Sequence, residues 1–113
     1  LSIRQPHAEA IMRGTKDYEI RSRRTKKTGT IYIYASLGRD SISDEAESME
    51  EYGIDDIACE SLPRGVVIGT VELGDCSESG FGDYYWKLSN PVLWDYPIPP
   101  QGKPQPTWFY PFR

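Results

Sequence analysis

Metal-ligating residues are scarce in this 113-residue chain, which has two cysteines, Cys59 and Cys76, and a single histidine, His7. The cysteines form no Cys-x-x-Cys pair, so no metal and no cofactor are expected, and both read as free thiols of a reducing cytoplasm. No apolar run approaches the ~18 residues that span a bilayer, and no secretory leader is visible. The expectation is a cytoplasmic protein with no membrane partner. Internal repeats are lacking, as is the strand–helix–strand rhythm of a dinucleotide-binding fold. The length allows one domain, residues 1–113, with one core and no room for a separate catalytic domain.

The charge is present but unevenly placed. Between Leu1 and Arg39 there are nine basic and three acidic residues, whereas the remainder holds four basic and fourteen acidic residues, for a net charge of −4. Screening confines interactions between exposed charges to roughly 10 Å, so a basic segment can attract phosphate although the whole chain is acidic. Mutual attraction of the two parts across the fold explains the asymmetry equally well.

Element signals are mixed, with strands dominant. Ser2-Ile3-Arg4-Gln5 reads as a strand, and Pro6 suits the first turn of a helix with Gln5 near its cap. Ala8, Ile11 and Met12 give that helix an apolar face, and Gly14 is a natural stop. Residues 17–21 alternate as a half-buried strand, and Gly29 to Ala35 is a stronger one. A second, acidic and mostly exposed helix is expected over 42–52, with Ser41 and Asp44 as its capping pair. The run from Val66 to Leu73 is the best strand, and Gly69 within it marks a bulge or a close backbone approach. Two shorter strands are expected at Asp83–Leu88 and Pro91–Trp94. A proline-rich connection, Pro97–Pro106, then leads to a closing strand at Thr107–Tyr110. These signals specify a strand-dominated α+β domain: a small closed sheet with two to three short helices, one between the first two strands and another between the third and fourth.

The segment Gly14-Thr15-Lys16-Asp17-Tyr18-Glu19-Ile20-Arg21 is dense in charges of both signs. Glu19 and Arg21 are two apart in a strand and share one face. Lys16 is three from Glu19 and joins them only if it sits in the turn after Gly14, before the pleat begins. Arg4, on the preceding strand, can reach the same end of the sheet. Such a group either neutralises itself as a structural ion-pair cluster or lines a site for a polar ligand.

As ordered residues the pattern is more specific. Ser2-Ile3-Arg4-Gln5-Pro6, then Gly14-x-Lys16-x-x-Glu19-x-Arg21, then a strand closing at Ala35-Ser36, resembles the ASCH domain family. Pro63-Arg64-Gly65, the Ile68-Gly69-x-Val71 strand ending at Asp75-Cys76, the late Trp86, Gly102 in the proline-rich stretch and the aromatic Trp108 fit the same pattern. The likeness spans nearly the whole chain. It implies a PUA-like small β-barrel with flanking helices and a cleft associated with RNA. It also implies RNA-related roles, including coactivator-type regulation, with some small members acting as enzymes. The chain departs from the family pattern at His7, where Trp is common, and at Tyr34, where His is common. Small ASCH amidohydrolases of acetylated cytidine use a Lys, a Thr three residues later and a distant Glu. Lys16 matches that Lys, but Glu19 stands at the Thr position and lacks its hydroxyl.

The leading expectation is therefore an RNA- or nucleotide-binding domain with a polar cleft lined by Lys16, Glu19 and Arg21, and with Arg4, Gln5, His7 and Ser36 as further ligand-binding candidates. Lys16 and Arg21 would bind phosphate or a base carbonyl, and Glu19 would hold them or accept from a base amino group. The basic linker residues Arg23, Arg24, Lys26 and Lys27 are candidates for phosphate contact, and Trp94 for stacking on a base. The alternative is a small hydrolase of modified nucleosides (an amidohydrolase) or of RNA (a ribonuclease). Lys16 would then be the general base, Glu19 an assisting residue and Glu72 the distant acid. A protein-interaction module in transcription or translation regulation, using the acidic 44–60 surface, is a third possibility.

Overall fold

A computed structural model describes residues 1–112. Five strands, β1 (Ser2–Ile3), β2 (Tyr18–Arg21), β3 (Gly29–Ala35), β4 (Val66–Glu78) and β5 (Tyr84–Ile98), form one sheet in the order β1-β3-β4-β5-β2. β1 and β3 run parallel, and every other neighbour is antiparallel. Helix α1 (His7–Arg13) lies between β1 and β2 in the chain, and helix α2 (Ile42–Glu51) between β3 and β4, followed by a single 3-10 turn at Cys59–Ser61. This strand-dominated α+β half-barrel is compatible with a PUA-like fold.

The local reasons are those that the residue types dictate. α1 is capped by the Gln5 side chain, whose Oε1 accepts from the Glu9 backbone N–H at 2.9 Å. It ends at Gly14 with φ +78°, a left-handed conformation that glycine adopts without a Cβ penalty. The Ala10 carbonyl, at the end of the helix, then accepts from both Thr15 N (3.0 Å) and Lys16 N (3.2 Å). Lys16 is thus pinned in the turn before β2. At the start of α2, Ser41 Oγ accepts from Asp44 N at 3.1 Å. The core gathers Ile3, Ile11, Met12, Ile33, Ile68, Val71, Leu73, Trp86 and Leu88 between α1 and the concave side of the sheet. A Cβ at Gly69 would overlap the Val92 carbonyl oxygen and crowd Met12 Sδ, so this glycine is required for the approach of β5 and α1.

Three expectations are corrected. The strands expected at Asp83–Leu88 and Pro91–Trp94 fall, Asp83 excepted, within one strand, β5. It stays paired to β4 through a register shift between Thr70 and Glu72 that absorbs Asn90, at φ +49°, and the N–H that Pro91 lacks. Thr107–Tyr110 is not a strand. Thr107 has φ +66°, and Pro106 and Pro111 cannot donate to a ladder, so the segment is irregular. It is held instead by Ser2 N donating to Thr107 O (2.9 Å) and by Trp108 stacked on Trp86 at 5.7 Å between centroids. The sheet consequently closes only halfway. Its edge strands β1 and β2 are joined by a side chain, with Arg21 Nη2 donating to Ser2 O at 2.8 Å.

Candidate ligand-binding cleft

The gap between the two edge strands is a cleft of about 980 Å³. Its floor is built by the turn after α1 and by β2. Glu19 on β2 pairs in register with Trp86 of β5, which holds its backbone firmly, and the residue is only 8% exposed. Lys16 Nζ lies 3.1 Å from Glu19 Oε1, while Arg21 Nη2 and Nε donate to Glu19 Oε2 at 2.8 and 3.2 Å. Arg21 also donates to Thr107 Oγ1 at 3.3 Å and lies over the Trp86 ring at 5.8 Å. The carboxylate is therefore clamped between an ammonium and a guanidinium, which compensates the cost of its burial.

One wall comes from α1, α2 and the loop after β3. His7 Nδ1 lies 3.0 Å from the Tyr52 hydroxyl and 3.3 Å from Lys16 Nζ, and His7 Nε2 is 3.6 Å from Asp40 Oδ2. An ammonium can only donate, so Nδ1 is the accepting nitrogen and the imidazole proton sits on Nε2, facing Asp40. Burial, reinforced by the Lys16 charge, pushes the His7 pKa below its ordinary value, against the pull of Glu19 and Asp40. Burial likewise raises the Tyr52 and Tyr34 hydroxyls. Arg4 donates to Asp40 at 2.9 Å across the rim and packs over Gly38. The opposite wall is the segment from Lys103 to Thr107.

Arg4, His7, Lys16, Glu19, Arg21 and Ser36 all line this one cleft. Gln5 does not: it is fully buried, and beyond capping α1 it donates from Nε2 to Pro63 O at 3.0 Å. Glu72 lies along β4, where Thr30 Oγ1 of the paired strand β3 donates to it, and it is not part of the cleft lining. Trp94 is part of a separate aromatic group with Tyr32 at 5.9 Å and Phe112 at 6.2 Å. The basic linker lies outside the cleft lining as well. Arg24 sits over Tyr84 (5.1 Å) and Lys27 over Trp108 (5.3 Å), and the Arg23 carbonyl accepts from Trp86 Nε1 (3.0 Å). Exposed Lys26 completes the linker. Through the Trp108–Trp86 stack and Arg21, the linker is coupled to the cleft floor.

Tyr18, Tyr52 and Asp40 are cleft residues that sequence reasoning missed. Tyr52 stands next to the helix stop Gly53 and carries no local sign that it reaches His7, 45 positions away. Tyr18 escaped because strand alternation assigns it to the face opposite Glu19, although it borders the cleft at the start of β2.

Among the described residues, no group of three or more His, Cys, Asp or Glu is arranged to hold a metal ion, and no helix is long and apolar enough to cross a membrane. The family model for the ASCH domain matches residues 1–91, which include the whole floor and the His7–Tyr52 wall but not the Lys103–Thr107 segment. No curated protein matches the chain.

Proposed function

The chain belongs to the ASCH domain family, a PUA-like family consistent with RNA binding, and we propose that its cleft binds a nucleotide unit of single-stranded RNA, with the base inward. The observation that carries this reading is the convergence of Lys16, Glu19 and Arg21 on the floor of a cleft whose sides include Tyr18, Tyr34 and Tyr52. A splayed-out base needs hydrogen-bonding partners along its edge and an apolar ring face to lie against, and both are available here. Arg4 and Lys103 on the rim give a phosphate two cations. The linker cations Arg24 and Lys27, held on Tyr84 and Trp108, extend the basic surface for the neighbouring phosphates.

Hydrolysis has less support. Lys16 Nζ is already engaged with the Glu19 carboxylate and His7 Nδ1, contacts that a general base would have to give up. The hydroxyls of Thr15 and Thr107 are engaged with the Ala10 carbonyl and with Arg21, which leaves neither as an evident nucleophile.

The test is fluorescence anisotropy with labelled short single-stranded RNAs over a salt series, repeated for Lys16→Ala. Binding that weakens with salt, and weakens further in the variant, is the expected result. An absence of affinity for every RNA at low salt would sink the proposal. Incubation with N-acylated nucleosides and RNA separates the hydrolase reading, which requires turnover that Lys16→Ala abolishes.

A further inference from the structure

Resting on the base-binding reading of the cleft, we propose a second subsite beside it. The next base of a single-stranded RNA leaves the cleft over the edge of β2 and stacks on Tyr18 and Tyr85, on the convex face of the sheet. Strand parity builds this platform. Glu19 and Trp86 are paired in register and buried, so their neighbours Tyr18, Ile20, Tyr85 and Lys87 turn to the opposite face. Tyr18 stands opposite Lys87 and Ile20 opposite Tyr85. The diagonal Tyr18–Tyr85 pair meets edge to face at 5.4 Å between ring centroids. Tyr18, Ile20 and Tyr85 nevertheless remain 40%, 45% and 39% exposed. An edge strand that shows such side chains to water is a liability, and native sequences blunt it with charge. β2 spends its charges, Glu19 and Arg21, on the cleft side instead.

The occupant follows from what adjoins the platform. Tyr18 belongs to both surfaces: it lines the cleft, with its ring 5.9 Å from Lys16 Nζ, and it carries the contact to Tyr85 outside the lining. Ile20 borders the cleft as well. The aromatic surface is therefore continuous with the cleft mouth, whereas the exposed Phe81 and Tyr96 lie away from the cleft lining. A ligand segment that extends beyond the cleft on this side meets two phenol rings, which suit the flat face of any base. Beside Tyr18, the exposed Lys87 has an ammonium without a hydrogen-bond or ion-pair partner among the described residues. It supplies a cation for the phosphate that joins the two nucleotides. Stacking tolerates every base, so this subsite adds affinity for a longer strand and leaves selectivity to the cleft.

Isothermal titration of the wild-type chain uses uridine and adenosine monophosphates, the corresponding dinucleotides, and the same dinucleotides with one base removed but its sugar and phosphate kept. The dinucleotide is expected to bind about tenfold tighter than the mononucleotide, and removal of one base to cancel most of that gain without altering the protein. Tyr85→Ala, a change outside the cleft lining, should weaken the dinucleotide about tenfold and leave the mononucleotide untouched, whereas Tyr85→Phe keeps the ring and the affinity. Lys87→Ala should lower the salt dependence of dinucleotide binding by about one charge. A dinucleotide that binds no tighter than its abasic form, or that Tyr85→Ala binds as well as the wild type, overturns the second subsite. The base-binding cleft stands in that case if Lys16→Ala still weakens the mononucleotide. A dimer in sedimentation that Tyr85→Ala dissociates, with dinucleotide binding unaltered, assigns the face to a second copy and also overturns the subsite. Binding of no probe at all defeats both readings.

Discussion

Two carboxylates in this protein are buried against a pair of cations, and the pairs lie in different regions. Glu19 is 8% exposed between Lys16 and Arg21, whereas Glu45, on the inward side of α2, is 3% exposed between Arg39 and Arg64. Arg39 grips Glu45 with two hydrogen bonds of 2.6 and 2.9 Å, and Arg64, 3.8 Å away, donates to the Cys59 and Leu62 carbonyls. Glu45 and its partners are neighboured by the 59–62 turn, and together they fasten α2 and that turn onto the start of β4. Around Glu19 the chemistry is alike, but the group opens on a cleft. Buried charge therefore does not by itself mark a binding site.

The comparison breaks most visibly at Glu45. Glu45→Ala leaves Arg39 and Arg64 without their shared anion, and a loss of roughly 2–3 kcal/mol in denaturant unfolding is expected, less than for a fully desolvated pair because the Arg39 side chain is 42% exposed. RNA affinity of the folded variant should stay unchanged. The Arg39 hydrogen bonds also hold the Glu45 carboxyl below its usual range. Its stabilisation is present above the ordinary carboxylate pKa, where both states are ionised. It is lost as pH falls through that value toward the folded one, because the unfolded chain takes up the proton first. Glu45→Gln should consequently flatten the acid limb of the stability profile. A drop in RNA binding without unfolding would show that the two regions are not separate in function.

At the other carboxylate the balance is reversed. Lys16→Ala leaves Glu19 paired with Arg21, so a stability loss within about 1 kcal/mol is expected. RNA affinity should fall about tenfold, or ~1.4 kcal/mol, because one of the floor donors is gone. Thermal unfolding and anisotropy on the same preparation check the two parts. A variant that lost stability as heavily as Glu45→Ala while binding normally would place the floor in the structural class.

The asymmetry between the two regions also explains how much was legible in the sequence. Gly14, the Ser41 cap and the close approach at Gly69 were readable because the forces behind them act between residues within a turn or on a single strand. The parity of β2 required Lys16 to occupy the turn if it was to meet Glu19 and Arg21, and it does so. Glu45 was unreadable, because a single inward carboxylate on an acidic helix looks like its exposed neighbours. Arg64, which shares it, comes from another part of the chain. Tyr52 and Asp40 escaped for the same reason: their link to His7 is made only by folding. The continuity of β5 was hidden by Asn90-Pro91, local signals of a break that tertiary pairing with β4 overrides. Thr107–Tyr110 has the composition of a strand, but its backbone was decided by the flanking prolines and the Trp108–Trp86 stack.

His7 sharpens the contrast further, since it links the floor to the α2 wall. Its pKa lies below the ordinary 6.5, chiefly through burial and then through the Lys16 charge. The NMR titration of its ring protons should have a midpoint below that of an exposed histidine, and Lys16→Ala should move the midpoint upward. The sign for stability follows. Above pH 6.5 both states are neutral at this group, and stability declines as pH falls below it, because the unfolded chain binds the proton more readily. This loss is expected to be smaller than the effect of Lys16→Ala. A midpoint at or above 6.5 would contradict the neutral, Nδ1-accepting imidazole that orients Lys16.

The smallest effect on folding is expected from the basic linker, whose cations are solvated where those of the floor are not. Arg24 pairs with Glu78 at 3.3 Å with the two side chains 52% and 71% exposed, an arrangement worth less than about 0.5 kcal/mol. Arg24→Ala should thus leave unfolding nearly unaltered. If the linker meets the phosphates that flank a base in the cleft, the same substitution lowers the salt dependence of RNA binding by about one charge and weakens all sequences alike. Arg24 and Lys16 would then act on affinity at separate places, so a double variant with Lys16→Ala should show additive losses. An unchanged salt slope would restrict the RNA contact to the cleft and assign Arg24 to its contacts with Tyr84 and Glu78.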